Sequence, residues 1–205
     1  MKGERNARRA GLSRERIVAA ATVLVDREGA ESLSARRLAA VLGCEAMSLY
    51  HHVANMRQLL DEVVDGVLGS LPLPPAAAPD PGKRLADMTR AYLELARSRP
   101  HAFRVISTRR WRTAAEIAYQ SRMIELLMSA GLRSRAALRA ARLLLVYLNG
   151  AGLATAAWEL DSGRVSLQSA PSSMQQLARF SNAAELARDL DWGLELLLRN
   201  LLPAG

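Results

Sequence analysis

Along most of this chain apolar residues recur at intervals of three and four, the spacing that gathers them on one face of an α-helix. Ser13 is a suitable N-cap, and Ile17, Ala20, Ala21, Leu24 and Val25 follow at that spacing until Gly29 stops the turn, which predicts a first helix. Arg16 stands where a capping box would need Glu or Gln. A second, short helix is predicted from the N-cap Ser34 through Leu38, Val41 and Leu42 to Gly43, where a left-handed C-cap belongs. After a tight turn a third runs from about Ala46 to His52. A fourth begins near Asn55 and carries Leu59, Leu60, Val63, Val64 and Val67 on its apolar side.

Five prolines between Leu71 and Gly82 then break the pattern, because each lacks a backbone donor and disfavours helix in the residue before it. Beyond this linker the periodicity predicts helices at 83–98, 101–107, 112–129, 134–159 and 183–201. A shorter one is expected near 173–181, and a loop from Asp161 to Ser172. No internal repeat is present. With 205 residues, 50% of them hydrophobic, there is ample material for a packed core. Ala, Leu and Arg dominate while aromatic residues reach 4%, a mix that favours helix over sheet. The expected class is all-α. Residues 1–12 lack apolar periodicity and are basic, so a flexible basic arm is expected there. The remainder divides into a unit at 13–60, a connecting helix and Pro-rich linker at 61–82, and a helical domain at 83–205.

A formal charge of +8 and a pI near 10.7 favour a polyanionic partner, nucleic acid first. The charge is not confined to one end: Arg97 to Arg142 holds eleven arginines against Glu116 and Glu125. Many of those belong on a solvated helix face. The single cysteine, Cys44, excludes an internal disulfide and any multi-cysteine metal site, which fits a reducing compartment, and the cytoplasm is the expected place. The basic start is followed by an apolar stretch broken by Arg14, Glu15, Arg16 and Asp26, so no signal peptide is read. The longest apolar run, Leu143 to Trp158, contains Asn149 and falls short of the roughly 20 residues a membrane span needs. It reads as a core helix, and no membrane partner is expected. His51 and His52 are neighbours pointing about 100° apart, so they cannot chelate together; neither a metal nor a cofactor is expected. An all-α enzyme finds no support, for there is no G-x-S-x-G, no P-loop, no H-E-x-x-H and no partnered cysteine.

The segment Ser34 to Leu60, SARRLAAVLGCEAMSLYHHVANMRQLL, is a short helix, a Gly43 turn and a second short helix, the plan of a helix-turn-helix. Its strings LAAVLG, SLYHHV and N-x-R-x-LL resemble the signature of the tetracycline-repressor (TetR) family over helices one to four. The resemblance implies a DNA-binding unit whose third helix enters the major groove. A short recognition helix can place only three or four side chains on base edges, here from among Glu45, Ala46, Met47, Ser48 and His51. Ser48 suits a base or phosphate, and Ala46 or Met47 a thymine methyl. By resemblance Tyr50 and His52 contact phosphate, Arg36 reaches a guanine edge bidentately, and Arg37 is a further candidate. Where the family commonly places a Lys at the start of the fourth helix, this chain has Met56, so Asn55 or Arg57 must grip the backbone instead. Leu38, Leu49 and Val53 are read as core.

Beyond the linker the resemblance extends through SRPHAFRV, a GL turn at Gly131, WELDSGR and WGLELLL. It implies a helical ligand-binding and dimerisation domain, with the helices at 134–159 and 183–201 forming a homodimer interface. Leu145, Leu190, Leu194 and Leu197 would be its knobs, and Gly150 and Gly152 its points of close approach. Inducer pockets of such domains are apolar and aromatic with a few polar groups; the candidates are Met88, Tyr92, Phe103, Ile106, Trp111, Tyr119, Met123, Tyr147, Asn149 and Trp158. An amide among apolar residues, as at Asn149, must find a partner or lose about 1–3 kcal/mol, and a ligand is one such partner. Positions approximately matching the family's magnesium-binding His and ring-contacting His and Asn are Ile106, Pro72 and Met88, leaving Glu159 alone to match an acid near the metal. Tetracycline is therefore not the expected ligand; a neutral or weakly polar, partly aromatic molecule is, with an anionic one left open by the arginines. The function implied is a ligand-responsive repressor that binds palindromic, double-stranded operator DNA as a homodimer. A small-molecule inducer releases it by moving the fourth helix. The alternative is a DNA-binding regulator or architectural protein without a ligand.

Overall fold

The computed structural model describes residues 11–77, 79–110, 112–161, 171–172 and 182–202. Among these, nine α-helices and no strand occur: α1 (Arg14–Glu28), α2 (Ala35–Leu42), α3 (Ala46–Leu49), α4 (Met56–Gly69), α5 (Pro81–Ser98), α6 (Pro100–Thr108), α7 (Ala114–Ser129), α8 (Ser134–Leu160) and α9 (Ala183–Leu201), with a 3₁₀ turn at Ala30–Ser32 after α1. The first ten residues of the basic arm, the helix expected near 173–181, and most of the loop expected from Asp161 to Ser172 lie outside the described residues.

The helix starts follow from local chemistry. Ser13, Ser34, Asn55, Asp80, Thr113 and Asn182 each accept the backbone N–H three residues on, satisfying a donor that the first turn cannot. Pro81 and Pro100 occupy first-turn positions where a missing N–H costs nothing, so α5 and α6 begin slightly before the residues that periodicity marks. Conversely α7 starts after Thr113, which caps it. The third helix is shorter than its apolar pattern predicts. After Leu49 the chain tightens, with Tyr50 N–H donating to Met47 O (3.2 Å) and His52 N–H to Leu49 O (2.9 Å), the three-residue turns common at helix ends.

In the body, α8 is central, with α5, α6, α7 and α9 packed around it. Its length and composition would also suit a bilayer-crossing segment. Here its face of Ala137, Ala141, Leu144, Leu148 and Ala156 is buried by those four helices, and it is the core helix expected. The expected boundary between residues 60 and 61 falls inside α4, which packs on α1 at one side and on α6 and α7 at the other. Buried residues form one continuous cluster from Ile17 on α1 to Leu198 on α9.

Candidate nucleic-acid interface, its anchorage and the aromatic cluster

The turn between α2 and α3 depends on Gly43, whose φ of 67° is a left-handed conformation that a side chain would strain. Cys44 N–H closes it on Ala39 O at 3.1 Å. Leu38, Leu49 and Val53 are buried beneath, which fixes how the two helices are presented. On the outer side Arg36, Arg37, Glu45, Met47, Tyr50, His51, Asn55 and Arg57 are exposed, while Ala46, Ser48 and His52 are half-buried. Met47 is 72% and Tyr50 45% exposed, large apolar groups standing in water beside cations. Arg37 is tied to Glu28 of α1. Asn55 Oδ1 accepts Gln58 N–H at 2.8 Å as the α4 cap, so the side chain of this expected phosphate contact is already engaged in starting the helix.

Three sets of charges anchor this unit. Arg14 of α1 meets Glu62 of α4 at 2.6 Å, and Arg99, at the start of α6, forks onto Asp26 of α1 at 2.5 and 3.0 Å. The third set lies between α4 and the α6–α7 connection. Asp61 faces Arg109 (2.6 Å) and Arg112 (2.9 Å), and Asp65 accepts Ala115 N–H at 2.7 Å. Behind Arg109 lies Glu116, fully buried, whose Oε2 accepts the N–H groups of Arg112 and Thr113, both at 2.7 Å, completing a capping box with Thr113. Its Oε1 is 3.6 Å from Arg109 Nε, an electrostatic contact only. Although Arg109 Nη2 comes within 2.6 Å of Asp61, none of the three Arg109 nitrogens has an aligned hydrogen-bond acceptor among the described residues. The guanidinium is held by charge. Sequence reading missed this cluster; T-x-x-E at 113–116 was its one legible trace.

Of the ligand candidates, Met88, Tyr92, Phe103, Ile106, Tyr119 and Met123 converge, all essentially fully buried. Tyr92 meets the edge of Phe103 at 5.1 Å between centroids and lies 5.3 Å from Tyr119. Burial pushes the Tyr92 and Tyr119 phenols upward, so both remain protonated donors, to Asn149 Oδ1 (2.8 Å) and Met88 O (2.9 Å). Asn149 thus has its partner inside the chain. Tyr147 and Trp158 do not join the cluster: Tyr147 donates to Leu190 O of α9, and Trp158 is exposed near the end of α8. Trp111 lies outside the described residues. The cluster is filled. Two open grooves of about 540 and 480 Å³ run instead along the seam between α5 and α9, and neither is lined by any of these candidates. The Asn149–Tyr92 bond gives a direct expectation: Asn149→Leu removes the acceptor of a buried hydroxyl and should cost about 1–3 kcal/mol in urea unfolding, and adding Tyr92→Phe should recover most of it. Purely additive losses would contradict the pairing.

The outer faces of α8 and α9 carry a second apolar surface, formed by Leu143, Val146, Trp192 and Leu196. Of the knobs expected from the sequence, Leu194 is fully buried within the chain, and Leu145, Leu190 and Leu197 are half-buried. Gly152 is likewise taken up internally by Phe103, whereas Gly150 has open space around it.

Comparison with known proteins points one way. An HTH-type transcriptional regulator of Saccharopolyspora erythraea is 32% identical over 151 residues, covering 72% of this chain and 62% of the relative. The class D tetracycline repressor protein of Escherichia coli is 42% identical over 59 residues, 29% of this chain and 27% of that one. The chain thus spans less than two thirds of the length of these curated relatives. No family model matches it. Among solved structures, the TetR family protein ActR of Streptomyces coelicolor, in complex with actinorhodin, superposes with a TM-score of 0.76 at 26% identity, covering 94% of this chain and 96% of ActR.

Proposed function

The chain belongs to the TetR family of helix-turn-helix transcriptional regulators, and on that basis we propose that it is a cytoplasmic, ligand-responsive repressor that binds a palindromic operator as a homodimer. The observation that carries this reading is the exposed face of α2, α3 and the start of α4: Met47, Tyr50 and His51 stand out from a turn locked by buried Leu38, Leu49 and Val53, with Arg36 and Arg57 at its flanks. A duplex major groove admits such a helix, and exposed arginines beside it match base edges and phosphates. Dimerisation is supported by the apolar outer face of α8 and α9, which none of the described residues covers. Release by a small molecule is favoured by ActR having been solved with actinorhodin bound. The route for it here is α4, which the reading unit and the body share, and which the body holds through Asp61 and Asp65.

Arg36 and Arg57 separate the two kinds of DNA contact. Arg36→Ala should weaken binding by about 1–3 kcal/mol at sites with the preferred base and relax the preference there. Arg57→Ala should weaken all duplexes alike and lower the salt slope by about one. Equal loss of discrimination from both variants would overturn the assignment. A regulator without a ligand is the second reading, favoured by the filled aromatic cluster. Calorimetric titration of small aromatic compounds into the protein, with and without DNA, separates the two: in the ligand-responsive case DNA weakens compound binding by the factor by which the compound weakens DNA binding.

A further inference from the structure

α6 is a nine-residue helix with three attachments. On its inner face the Phe103 ring lies directly against Gly152 of α8, so closely that a Cβ at that glycine would overlap the ring carbons. Beside the ring is the cluster's hydroxyl–amide pair, Tyr92 and Asn149, with Ile106, Tyr119 and Met123 among the surrounding buried groups. At one end of α6, Arg99 holds Asp26 of α1; at the other, Arg109 faces Asp61 of α4. One short helix therefore plugs the body with an aromatic ring and keeps a guanidinium on each of two helices of the reading unit.

We propose that the Phe103 ring is the built-in occupant of the ligand site, and that a small aromatic ligand bearing a hydroxyl or carbonyl group takes its place over Gly152. The inference rests on the ligand-responsive reading above. The space beside Gly152 is shaped for a flat ring, which sets the ligand class. The Tyr92 hydroxyl and Asn149 amide supply a donor and an acceptor for its polar group, and the unbranched Met88 and Met123 side chains adapt to substituents. The glycine is essential to the fit. When the ring leaves, α6 moves with it, and the ties Arg99–Asp26 and Arg109–Asp61 must stretch or break. The ligand consequently binds more tightly to the protein with its reading unit released, which is the condition for a ligand to shift that equilibrium.

The test uses the full chain carrying Phe103→Ala, with phenol and toluene as probes, titrated calorimetrically without DNA. Phenol should bind the variant more tightly than it binds the wild type, in which the ring must first leave, and roughly tenfold or more tightly than toluene binds the variant. Adding Tyr92→Phe should shrink the preference for phenol. Saturating phenol should lower the affinity of the wild type for a duplex selected from a random pool by about 5- to 150-fold, because there the ring must leave. It should not lower that of Phe103→Ala, where it only refills the space over Gly152. Leu126→Ala, a fully buried site on α7, supplies the control cavity: no preference for phenol over toluene should appear in it. Equal binding of phenol and toluene to Phe103→Ala, or saturating phenol that leaves the wild type's DNA affinity unchanged, would overturn the proposal. If Phe103→Ala does not fold, Phe103→Leu carries the same comparison. Should no variant nor the wild type select any duplex, the DNA reading has failed, and the calorimetric preference still decides whether the site exists.

Discussion

Arg109→Met should destabilise the protein by about 3–5 kcal/mol, because it removes the cation from between a fully buried carboxylate and a partly buried one. Arg109 is itself only 12% exposed, so water screens the contact little. Glu116 keeps its two backbone N–H donors at 2.7 Å, yet its charge would face an apolar side chain on the Oε1 side. Asp61 would keep Arg112 alone. The asymmetry of buried ion pairs supplies the check: the triple variant Arg109→Met, Glu116→Gln, Asp61→Asn, which removes all three charges, should be markedly more stable than Arg109→Met alone. Urea unfolding of the two variants measures this. A loss below about 1 kcal/mol for Arg109→Met, within the range of an exposed pair, would show that the junction is wet and does not hold α4.

Gly150→Trp is expected to leave the folded chain intact while separating the dimer. A Cβ at this glycine meets nothing within 4 Å among the described residues, and any residue other than proline improves on glycine in a helix interior, so the fold of the chain is expected to tolerate the change. The glycine lies on the outer face of α8 with Leu143 and Val146, opposite the buried Leu144 and Leu148, where a partner helix would come closest. A bulky indole there should turn the dimer into a monomer by light scattering, with far-ultraviolet circular dichroism unchanged. Binding to a palindromic duplex should then fall about 10²- to 10⁴-fold, since linkage of two reading units is lost while each unit's contacts remain. A dimer that persists with undiminished DNA affinity would place the interface elsewhere.

Where the chain's chemistry is local, the sequence already shows it. Ser13, Ser34 and Asn55 cap helices through bonds to residues three positions on, and Gly43 marks the reading turn because few other residues adopt its conformation. The apolar spacing of α8 and α9 is equally plain. What stayed hidden depends on contacts between distant positions. Asp61 and Arg109 are 48 residues apart, and nothing in either neighbourhood announces that they meet. Whether Tyr92, Phe103 and Tyr119 line a cavity or fill it turns on one glycine, Gly152, reached only when α6 crosses α8. Asn149 was legible as an amide in need of a partner, but that Tyr92 is the partner was not. On α9 the apolar spacing does not tell inside from outside: Leu194, a knob by its spacing, is fully buried within the chain, while Trp192 and Leu196 face outward.

The most direct test of the central claim is selection of bound duplexes from a random pool by the full-length protein, followed by footprinting of the winners. The account predicts an inverted repeat whose half-sites lie about 34–36 Å apart centre to centre, or a small multiple of that, protected on successive major-groove faces. Binding should weaken steeply with salt. Recovery of no common sequence, or of a single asymmetric site protected by one copy of the chain, would contradict it.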